Sequence, residues 1–258
     1  MRELRGRWAL VTGGGRGIGR ATARDLARAG VHVAVAARTS SEVEAVAREL
    51  RAFGVEARAV ALDVRQPQAV REAVRQARRD LGGLDILVNG AGVAPSAPLV
   101  KTDDATWAAA LDTNLSGPFY CMREALPAMM EGGWGRVVNV ASIAGKTGYA
   151  YISAYAASKH GLLGLTKCAA LETASLGITV NAVCPGYVDS PMTDASVARI
   201  VEKTGLPAAD VRRKLEETSP QKRLFSAEEV SALVLFLCTD AARGITGQAL
   251  SLDGGTVV

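Results

Sequence analysis

Tyr155 and Lys159 carry the side chains in this sequence best suited to acid–base chemistry, and they stand four residues apart in "SAYAASKHG" (153–161). Residues four apart lie on one face of a helix, so the phenol and the ammonium would be neighbours. A free tyrosine titrates near ~10, and an adjacent ammonium stabilises phenolate and lowers that pKa. The pair therefore predicts a general acid/base. The alternative is an ordinary solvated pair on a helix surface.

A glycine-rich stretch, "VTGGGRGIGR" (11–20), follows the first predicted strand and opens the first predicted helix. Gly13, Gly17 and Gly19 would permit a tight turn and close approach of a pyrophosphate, which free N–H groups at the helix N-terminus would bind. The spacing differs from the usual G-x-G-x-x-G fingerprint, and no G-K-S/T follows as in a P-loop. It indicates a dinucleotide site, with a purely structural turn as the alternative.

The residues after the second predicted strand discriminate between nicotinamide cofactors. An NAD site has an acid there, about 20 residues past the glycine loop, whereas an NADP site has an arginine. This chain has Ala37 and Arg38 at that point, and Arg16 inside the glycine loop. Two guanidinium groups would bind a 2′-phosphate through charge-assisted hydrogen bonds, which favours NADP(H) over NAD. The alternative is that both are solvated surface arginines.

Short β-branched runs that alternate with amphipathic helical patterns must position these groups. The pattern predicts one doubly wound, Rossmann-type α/β domain over residues 1–258, a parallel sheet of seven strands with helices on both faces. We predict the strands at 8–12, 31–36, 56–62, 85–89, 136–142, 178–183 and 249–253. Pro185 and three further prolines within residues 186–226 surround short helical patterns. We expect residues 186–226 to form a substrate-side excursion or lid.

Composition excludes several other classes of protein. The 258 residues are 48% hydrophobic and 22% charged, as in an ordinary globular protein, and the net charge of +4 is spread among acids rather than clustered as in nucleic-acid binding. The four cysteines lie far apart and the two histidines have no metal-binding spacing, which indicates reduced thiols and no metal. Without a signal-like start or an apolar run of about 20 residues, we expect a cytoplasmic protein with no membrane association.

The glycine spacing G-x-x-x-G-x-G, Asn114 in "DTNLSGPF", Ser142 in "VVNVASIAG" and the "YAASK" segment occur in that order. Together they resemble the short-chain dehydrogenase/reductase family across nearly the whole chain. The resemblance implies that Tyr155 is the acid/base and that Ser142 hydrogen bonds the substrate oxygen. It also implies that Lys159 binds the nicotinamide ribose and lowers the tyrosine pKa, and that Asn114 holds a water in a proton relay.

The same resemblance implies further cofactor contacts. Asp63 stands where the family contacts the adenine amino group, Pro185 and Gly186 form the turn beside the nicotinamide, and Ser190 replaces the family's usual threonine near the carboxamide. The other positions carried over are Ile18, Val64, Asn89, Ala91, Gly92 and Val188.

One position departs from the family pattern. The family's N-N-A-G segment reads "NGAG" here, so Gly90 replaces the second asparagine. We expect the loss of a side-chain contact and lower local rigidity, without loss of activity.

An apolar or aromatic substrate pocket is predicted between the catalytic segments and the start of the excursion. Its candidate walls are Tyr149, Tyr151, Ile152, Tyr187 and Met192. The alternative is that some of these residues belong to the core or to a subunit contact.

Basic residues crowd the excursion: Lys203, Arg212, Arg213, Lys214, Lys222 and Arg223. They could meet the phosphates of coenzyme A or of a carrier-protein arm. The alternative is a solvated helix face, because Arg212–Glu216 and Arg213–Glu217 are spaced as i,i+4 ion pairs.

Segments such as "GITVNAVCPGYVDSPM" resemble 3-oxoacyl thioester reductases, including polyketide ketoreductases. We therefore predict NADP(H)-dependent reduction of a 3-oxoacyl-type ketone to a secondary alcohol. "ITGQALSLDGG" also resembles 3-hydroxybutyrate dehydrogenases, which mostly use NAD, so NAD-dependent alcohol oxidation is the alternative. A third hypothesis, from another class, is a catalytically silent nucleotide sensor or scaffold.

The long helix that carries Tyr155 continues through "GLLGLTKCAALETASLG" with apolar residues over much of its circumference. A helix that is apolar most of the way round must be buried on more than one side. Together with the family resemblance, this predicts a homotetramer or a dimer.

Overall fold

Seven parallel strands form the centre of the computed structural model, which describes residues 2–257. Their order, β3-β2-β1-β4-β5-β6-β7, confirms the predicted doubly wound sheet. The strands are β1 Trp8–Thr12, β2 His32–Ala37, β3 Ala57–Ala61, β4 Ile86–Asn89, β5 Gly135–Val140, β6 Ile178–Pro185 and β7 Ala249–Leu252. The largest errors in the predicted bounds are at β5, which ends two residues early because the chain turns at Ser142, and at β6, which continues two residues further.

Helices connect the strands and cover both faces of the sheet. They are α1 Gly17–Arg28, α2 Ser40–Arg51, α3 Pro67–Leu81, α4 Asp104–Leu111, α5 Gly117–Gly132, α6 Ser153–Thr173, α7 Pro191–Thr204, α8 Ala208–Glu217 and α9 Ala227–Cys238. Across residues 2–257 no helix has the combination of length and apolarity that spanning a membrane requires.

The strand alternation divides the core into two layers. In β1, Ala9 and Val11 belong to the layer shared with α1, α2 and α9, whereas Leu10 belongs to the layer shared with α3, α5 and α6. All three side chains are buried, as expected for a parallel sheet that is covered on both faces. This rigid sheet fixes the positions of the loops that follow its strands.

Between β1 and β4 the direction of the strand order reverses, which creates a crevice at the carboxyl ends of the strands. The loops after these two strands approach so closely that a Cβ on Gly13 would lie 2.6 Å from the carbonyl of Gly90. A Cβ on Gly19 would lie 2.2 Å from the Gly13 oxygen. Glycine is therefore required at both positions by the close approach of backbone to backbone.

Residues 186–226 leave the sheet, as predicted, and carry α7 and α8. Val197, Val211 and Leu215 form a small apolar core between these two helices. A single bridge between Val188 and Phe225 closes the base of the excursion. This segment therefore packs as a small unit beside the crevice.

Candidate active site

A cleft at the carboxyl ends of the strands collects most of the predicted cofactor residues. Those that line it are Gly13, Arg16, Gly17, Ile18, Gly19, Arg38, Asp63, Val64, Ala91, Gly92 and Ser190, together with Met192 from the predicted substrate pocket. The described residues include no cluster of side chains that could hold a metal ion.

The floor of the cleft is the glycine loop where it turns into α1. Gly17 begins the helix with a positive φ of 53°, a conformation that favours glycine, and its backbone faces Ser190 and Pro191 at the start of α7. An added Cβ at Gly13 or Gly19 would collide with the loop backbone at Gly90 or at Gly13, so the tight turn requires glycine at both positions. The loop and the helix N-terminus thus fit the pyrophosphate of a dinucleotide cofactor.

One end of the cleft is strongly charged. Arg38 is exposed and forms no ion pair with any described residue, whereas Arg16 lies 3.7 Å from the carboxylate of Glu42. Arg65 donates to both carboxylate oxygens of Asp63 at 2.6–3.0 Å, and these hydrogen bonds lower the pKa of Asp63. An adenine amino group that approached Asp63 would therefore share its oxygens with Arg65.

At the other end, α6 presents Tyr155 and Lys159 one helical turn apart, as predicted. The Lys159 Nζ donates to the carbonyl of Val140 at 2.7 Å and lies 5.7 Å from the centre of the tyrosine ring. Burial lowers the pKa of Lys159 to about 8. Burial also raises the pKa of Tyr155, against an opposing hydrogen bond with Ser142. Tyr187 and Cys184 raise the tyrosine pKa further, so only Ser142 opposes the rise, and the lowering expected from Lys159 is not among these effects.

Ser142 stands just beyond β5, where it caps a short 3-10 turn. Its Oγ accepts a hydrogen bond from the backbone N–H of Ala144 at 3.1 Å, which fixes the side chain and leaves its own proton free to be donated. Behind it, the thiol of Cys184 is buried on β6, and that burial raises its pKa. The serine is thus held rigidly beside the tyrosine.

Asn114 lies in a π-helical segment, Asp112–Ser116, between α4 and α5. Its Oδ1 accepts from the N–H of Val93 at 2.9 Å, and its Nδ2 donates to the Val93 carbonyl and to the hydroxyl of Ser158, both at 2.9 Å. Ser158 in turn donates to the Tyr155 carbonyl. Both side-chain protons of the asparagine are thus engaged in joining the loop after β4 to α6.

Gly92 connects the cofactor cleft to these catalytic groups. A Cβ at this position would lie 3.3 Å from the Asn114 Oδ1, 3.9 Å from the Lys159 Nζ and 3.9 Å from the Met192 methyl group. Residues that are widely separated in sequence therefore converge around one small space at the inner end of the cleft.

A sequence profile of the family described as short chain dehydrogenase matches residues 7–200, three quarters of the chain. The chain belongs to the short-chain dehydrogenase family. This result confirms the resemblance that the glycine, serine and tyrosine motifs predicted.

Full-length relatives agree. A 3-oxoacyl-[acyl-carrier-protein] reductase, FabG, of Staphylococcus epidermidis is 39% identical over 96% of this chain and 97% of its own. The crystal structure of a single-substitution variant of actinorhodin polyketide ketoreductase with NADPH superposes with a TM-score of 0.93 at 37% identity, covering 97% of each chain. That of NAD+-bound xylitol dehydrogenase also gives 0.93, at 33% identity over 98% of this chain and all of the other. The chain is thus an oxidoreductase acting on a carbonyl or an alcohol with a nicotinamide cofactor.

Several predicted cofactor residues of this short-chain dehydrogenase lie outside the cleft. The Asn89 side chain points into the sheet and donates to Asn139 Oδ1 at 2.8 Å, and Val188 is buried against the base of the excursion. Pro185 ends β6, and the N–H of Gly186 bonds the Leu252 carbonyl. Pairing within the sheet accounts for Asn89, Pro185 and Gly186, and packing of the excursion accounts for Val188. Tyr155 and Lys159 also lie beyond the residues that line the cleft, on α6.

The substituted position Gly90 is fixed by backbone contacts. Its N–H lies 3.1 Å from the Thr12 carbonyl and 3.2 Å from the Thr12 hydroxyl, and an added Cβ would lie 2.8 Å from that carbonyl. Any larger residue here would require the two loops to move apart. Whether the glycine lowers local rigidity stays a prediction.

The predicted substrate-pocket residues flank Tyr155, and three of them, Tyr149, Tyr151 and Tyr187, carry exposed aromatic rings. Tyr149 and Tyr187 lie close enough to influence each other, and burial raises the pKa of both. Tyr151 is 64% exposed and has a positive φ of 70°, while its carbonyl accepts from the N–H of Ala97. Ile152 caps the start of α6. A substrate pocket built from these groups stays a prediction.

Three of the six basic residues predicted to crowd the excursion, Arg212, Arg213 and Arg223, are paired with acids. Arg212 lies 2.7 Å from Asp189, 3.3 Å from Asp194 and 3.8 Å from Glu216. Arg213 pairs with Asp210 on the preceding turn, so the predicted Arg213–Glu217 pair was wrong.

Arg223 pairs with Glu229, and Lys203 donates to the Ser96 carbonyl. This pairing favours a solvated ion-pair surface over a phosphate site.

Sequence reasoning missed Glu42, Arg65 and Ser158, which contact the cofactor cleft or the catalytic groups. Arg65 had one signal, its position two residues after Asp63. For the other two, the sequence offered none, since each acts through a contact between distant elements.

Proposed function

We propose that this short-chain dehydrogenase uses NADPH to reduce a 3-oxoacyl-type ketone to a secondary alcohol. The observation that carries the proposal is the placement of Tyr155 one helical turn from Lys159, whose Nζ lies 5.7 Å from the centre of the tyrosine ring, with Ser142 beside the phenol. The protonated phenol can give its proton to the oxygen of a carbonyl as the carbon takes up hydride, and a nearby ammonium stabilises the phenolate that forms.

The residues divide the reaction between them. Ser142 donates a hydrogen bond to the ketone oxygen and orients it, and Tyr155 donates the proton that this oxygen takes up. Lys159 supplies positive charge that stabilises the phenolate left behind, and Asn114 holds the loop and helix in register. NADPH, when bound, supplies the hydride to the carbon, so that one hydride and one proton convert C=O to CH–OH.

The charged end of the cleft supports NADP(H). Arg16 and Arg38 bring two guanidinium groups to the place expected for a ribose 2′-phosphate. Arg38 forms no ion pair within 4 Å among the described residues, and its charge contributes to lowering the pKa of Asp63. NAD-dependent oxidation of a secondary alcohol, such as 3-hydroxybutyrate, is the second candidate. The carboxylate of Glu42 at the same end and the likeness to NAD+-bound xylitol dehydrogenase favour it.

Likeness to FabG and to the polyketide ketoreductase supports a thioester substrate, carried by a carrier protein or coenzyme A. We further propose a cytoplasmic homotetramer or dimer. Exposed apolar side chains on α5 and α6, Phe119 and Leu171, support the assembly.

The test compares NADPH and NADH consumption with an acetoacetyl thioester as acceptor. Fast turnover with NADPH alone would support both the cofactor and the substrate class. NADPH binding without turnover would contradict the thioester, and a preference for NADH would contradict the arginine assignment.

Tyr155→Phe separates an enzyme from a silent sensor. Removal of the proton donor should reduce turnover by at least about 100-fold while NADPH fluorescence still reports binding. If the wild-type protein binds nucleotide but turns over no carbonyl or alcohol, with or without this substitution, the chain is a sensor.

A further inference from the structure

Glu42 lies over the glycine loop at the charged end of the cleft. It sits in the first turn of α2 and lines the cleft beside Arg16 and Arg38. Its Oε2 is 2.9 Å, and its Cβ 3.0 Å, from the place where a Cβ on Gly15 would stand. Because Gly15 has no side chain, the Glu42 side chain can lie between the glycine loop and the end of β2.

The two acid–arginine pairs that line this end of the cleft differ in how closely their charged groups approach. Arg65 pairs with Asp63 through hydrogen bonds to both carboxylate oxygens, Oδ1 at 3.0 Å and Oδ2 at 2.6 Å. Arg16 and Glu42 stand at 3.7 Å, too far for a hydrogen bond, and the Arg16 side chain is largely exposed. Such a loose pair is weak in solvent, and Arg16 remains free to move to another anion.

We propose that Glu42 is a specificity-determining residue that weakens the cleft's discrimination between 2′-phosphorylated and unphosphorylated adenine nucleotides. Its negative charge repels a 2′-phosphate and competes with it for Arg16. Its carboxylate oxygens are also able to accept a hydrogen bond from a free ribose 2′-hydroxyl. The inference rests on the proposed placement of the adenosine ribose at this end. It keeps NADPH as the preferred cofactor and assigns to Glu42 a narrowing of that preference over NADH.

Glu42→Gln keeps the size of the side chain and removes the charge. A 2′-phosphate carries up to two negative charges, so loss of one nearby repulsive charge should tighten binding of 2′,5′-ADP by roughly tenfold at low ionic strength. Binding of 5′-AMP, which lacks the 2′-phosphate, should weaken by no more than about threefold. The gain for 2′,5′-ADP should shrink at high salt, because the cleft is open to solvent.

The experiment measures both affinities by titration calorimetry for the wild-type protein, Glu42→Gln and two further variants. Glu44→Gln removes a charge from an exposed position on the same helix and should keep the wild-type ratio of affinities. Glu42→Asp retains the charge and should also stay near that ratio. An unchanged ratio in Glu42→Gln, or the same change in Glu42→Asp, would overturn the inference.

A separate measurement on the two arginines tests the proposed NADP preference itself. If Arg38→Gln and Arg16→Gln bind 2′,5′-ADP as tightly as the wild-type protein does, the two arginines do not form the 2′-phosphate site and the proposed cofactor falls. The role of Glu42 is decided separately, by whether its neutralisation changes the ratio of the two affinities.

Discussion

At the scale of single residues, Lys159 combines a buried charge with a role beside the acid/base. Burial lowers its pKa from the ordinary 10.5 to about 8, which corresponds to roughly 3 kcal/mol against the charged form. Below about pH 8 the folded protein bears this whole cost. Between about pH 8 and 10.5 the folded state has lost the proton while the unfolded state still holds it, so wild-type stability gains with rising pH.

Lys159→Met should therefore raise the free energy of unfolding near pH 7, by about 1–2 kcal/mol after loss of the bond to the Val140 carbonyl. This advantage should fall to zero and then reverse as pH rises from about 8 to about 10.5, because the wild-type protein regains roughly 3 kcal/mol over that range and the variant does not. Urea unfolding of both proteins across that range measures it. Lys167→Met, at an exposed position of the same helix, is the control. If the stability difference between the two proteins stays constant with pH, burial does not disfavour the protonated form of Lys159.

The residue scale also shows what a sequence can predict of a site. Tyr155, Lys159 and Ser142 were found because their chemistry, and their order along the chain, are unusual enough to carry a family resemblance. Glu42 was missed because "RTSSEVE" reads as an ordinary exposed helix start. Its significance comes from the missing side chain at Gly15, a contact between two elements that no local pattern encodes.

At the scale of elements, the strands were predictable because buried parallel strands form short apolar runs that a turn or a helix ends. The π-helical segment around Asn114 was not, because it depends on packing between α4, α5 and α6. For Arg212, the sequence predicted the pair with Glu216 but not the pairs with Asp189 and Asp194. Those two acids come close to Arg212 only through the fold of the excursion.

Two side chains of α7 join the excursion to the loop after β4. Arg199 donates to the Ala94 carbonyl at 2.9 Å, and Lys203 donates to the Ser96 carbonyl at 3.3 Å. This loop contains Val93, which Asn114 holds, so the contacts link α7 to the segment around Asn114. Closure of a cleft by such a segment excludes water and positions the substrate.

Arg199→Met should loosen α7 by about 1 kcal/mol, the order of a partly exposed hydrogen bond from a charged donor. We expect a several-fold rise in the KM for the carbonyl substrate, kcat within about twofold of wild type, and faster proteolytic cleavage within 186–226. Limited proteolysis without substrate checks the last point independently of activity. Glu202→Gln, exposed on the same helix, is the control, and equal cleavage rates for both variants would contradict the link.

At the scale of the whole molecule, the described chain leaves an apolar surface on the layer formed by α5 and α6. A shallow groove there is lined by Leu115, Ser116, Phe119, Tyr120 and Leu165. Leu171, further along α6, is 83% exposed. An apolar surface of this kind commonly marks a subunit contact. In the sequence, the basis for predicting such a contact was the apolar circumference of α6.

Phe119→Glu tests whether this groove is where the copies associate. A carboxylate in a packed apolar interface would have to be desolvated with Arg123, one turn along α5, as its nearest cation. The cost of burying these charges shifts the equilibrium toward smaller species. Sedimentation velocity should show a dimer or tetramer for the wild-type protein and a smaller species for the variant. Phe53→Glu changes a ring of similar exposure, 38% against 41%, at the end of α2, and should keep the wild-type assembly. If the two variants sediment alike, the groove is not the interface, and the apolar circumference of α6 serves the fold of a single chain.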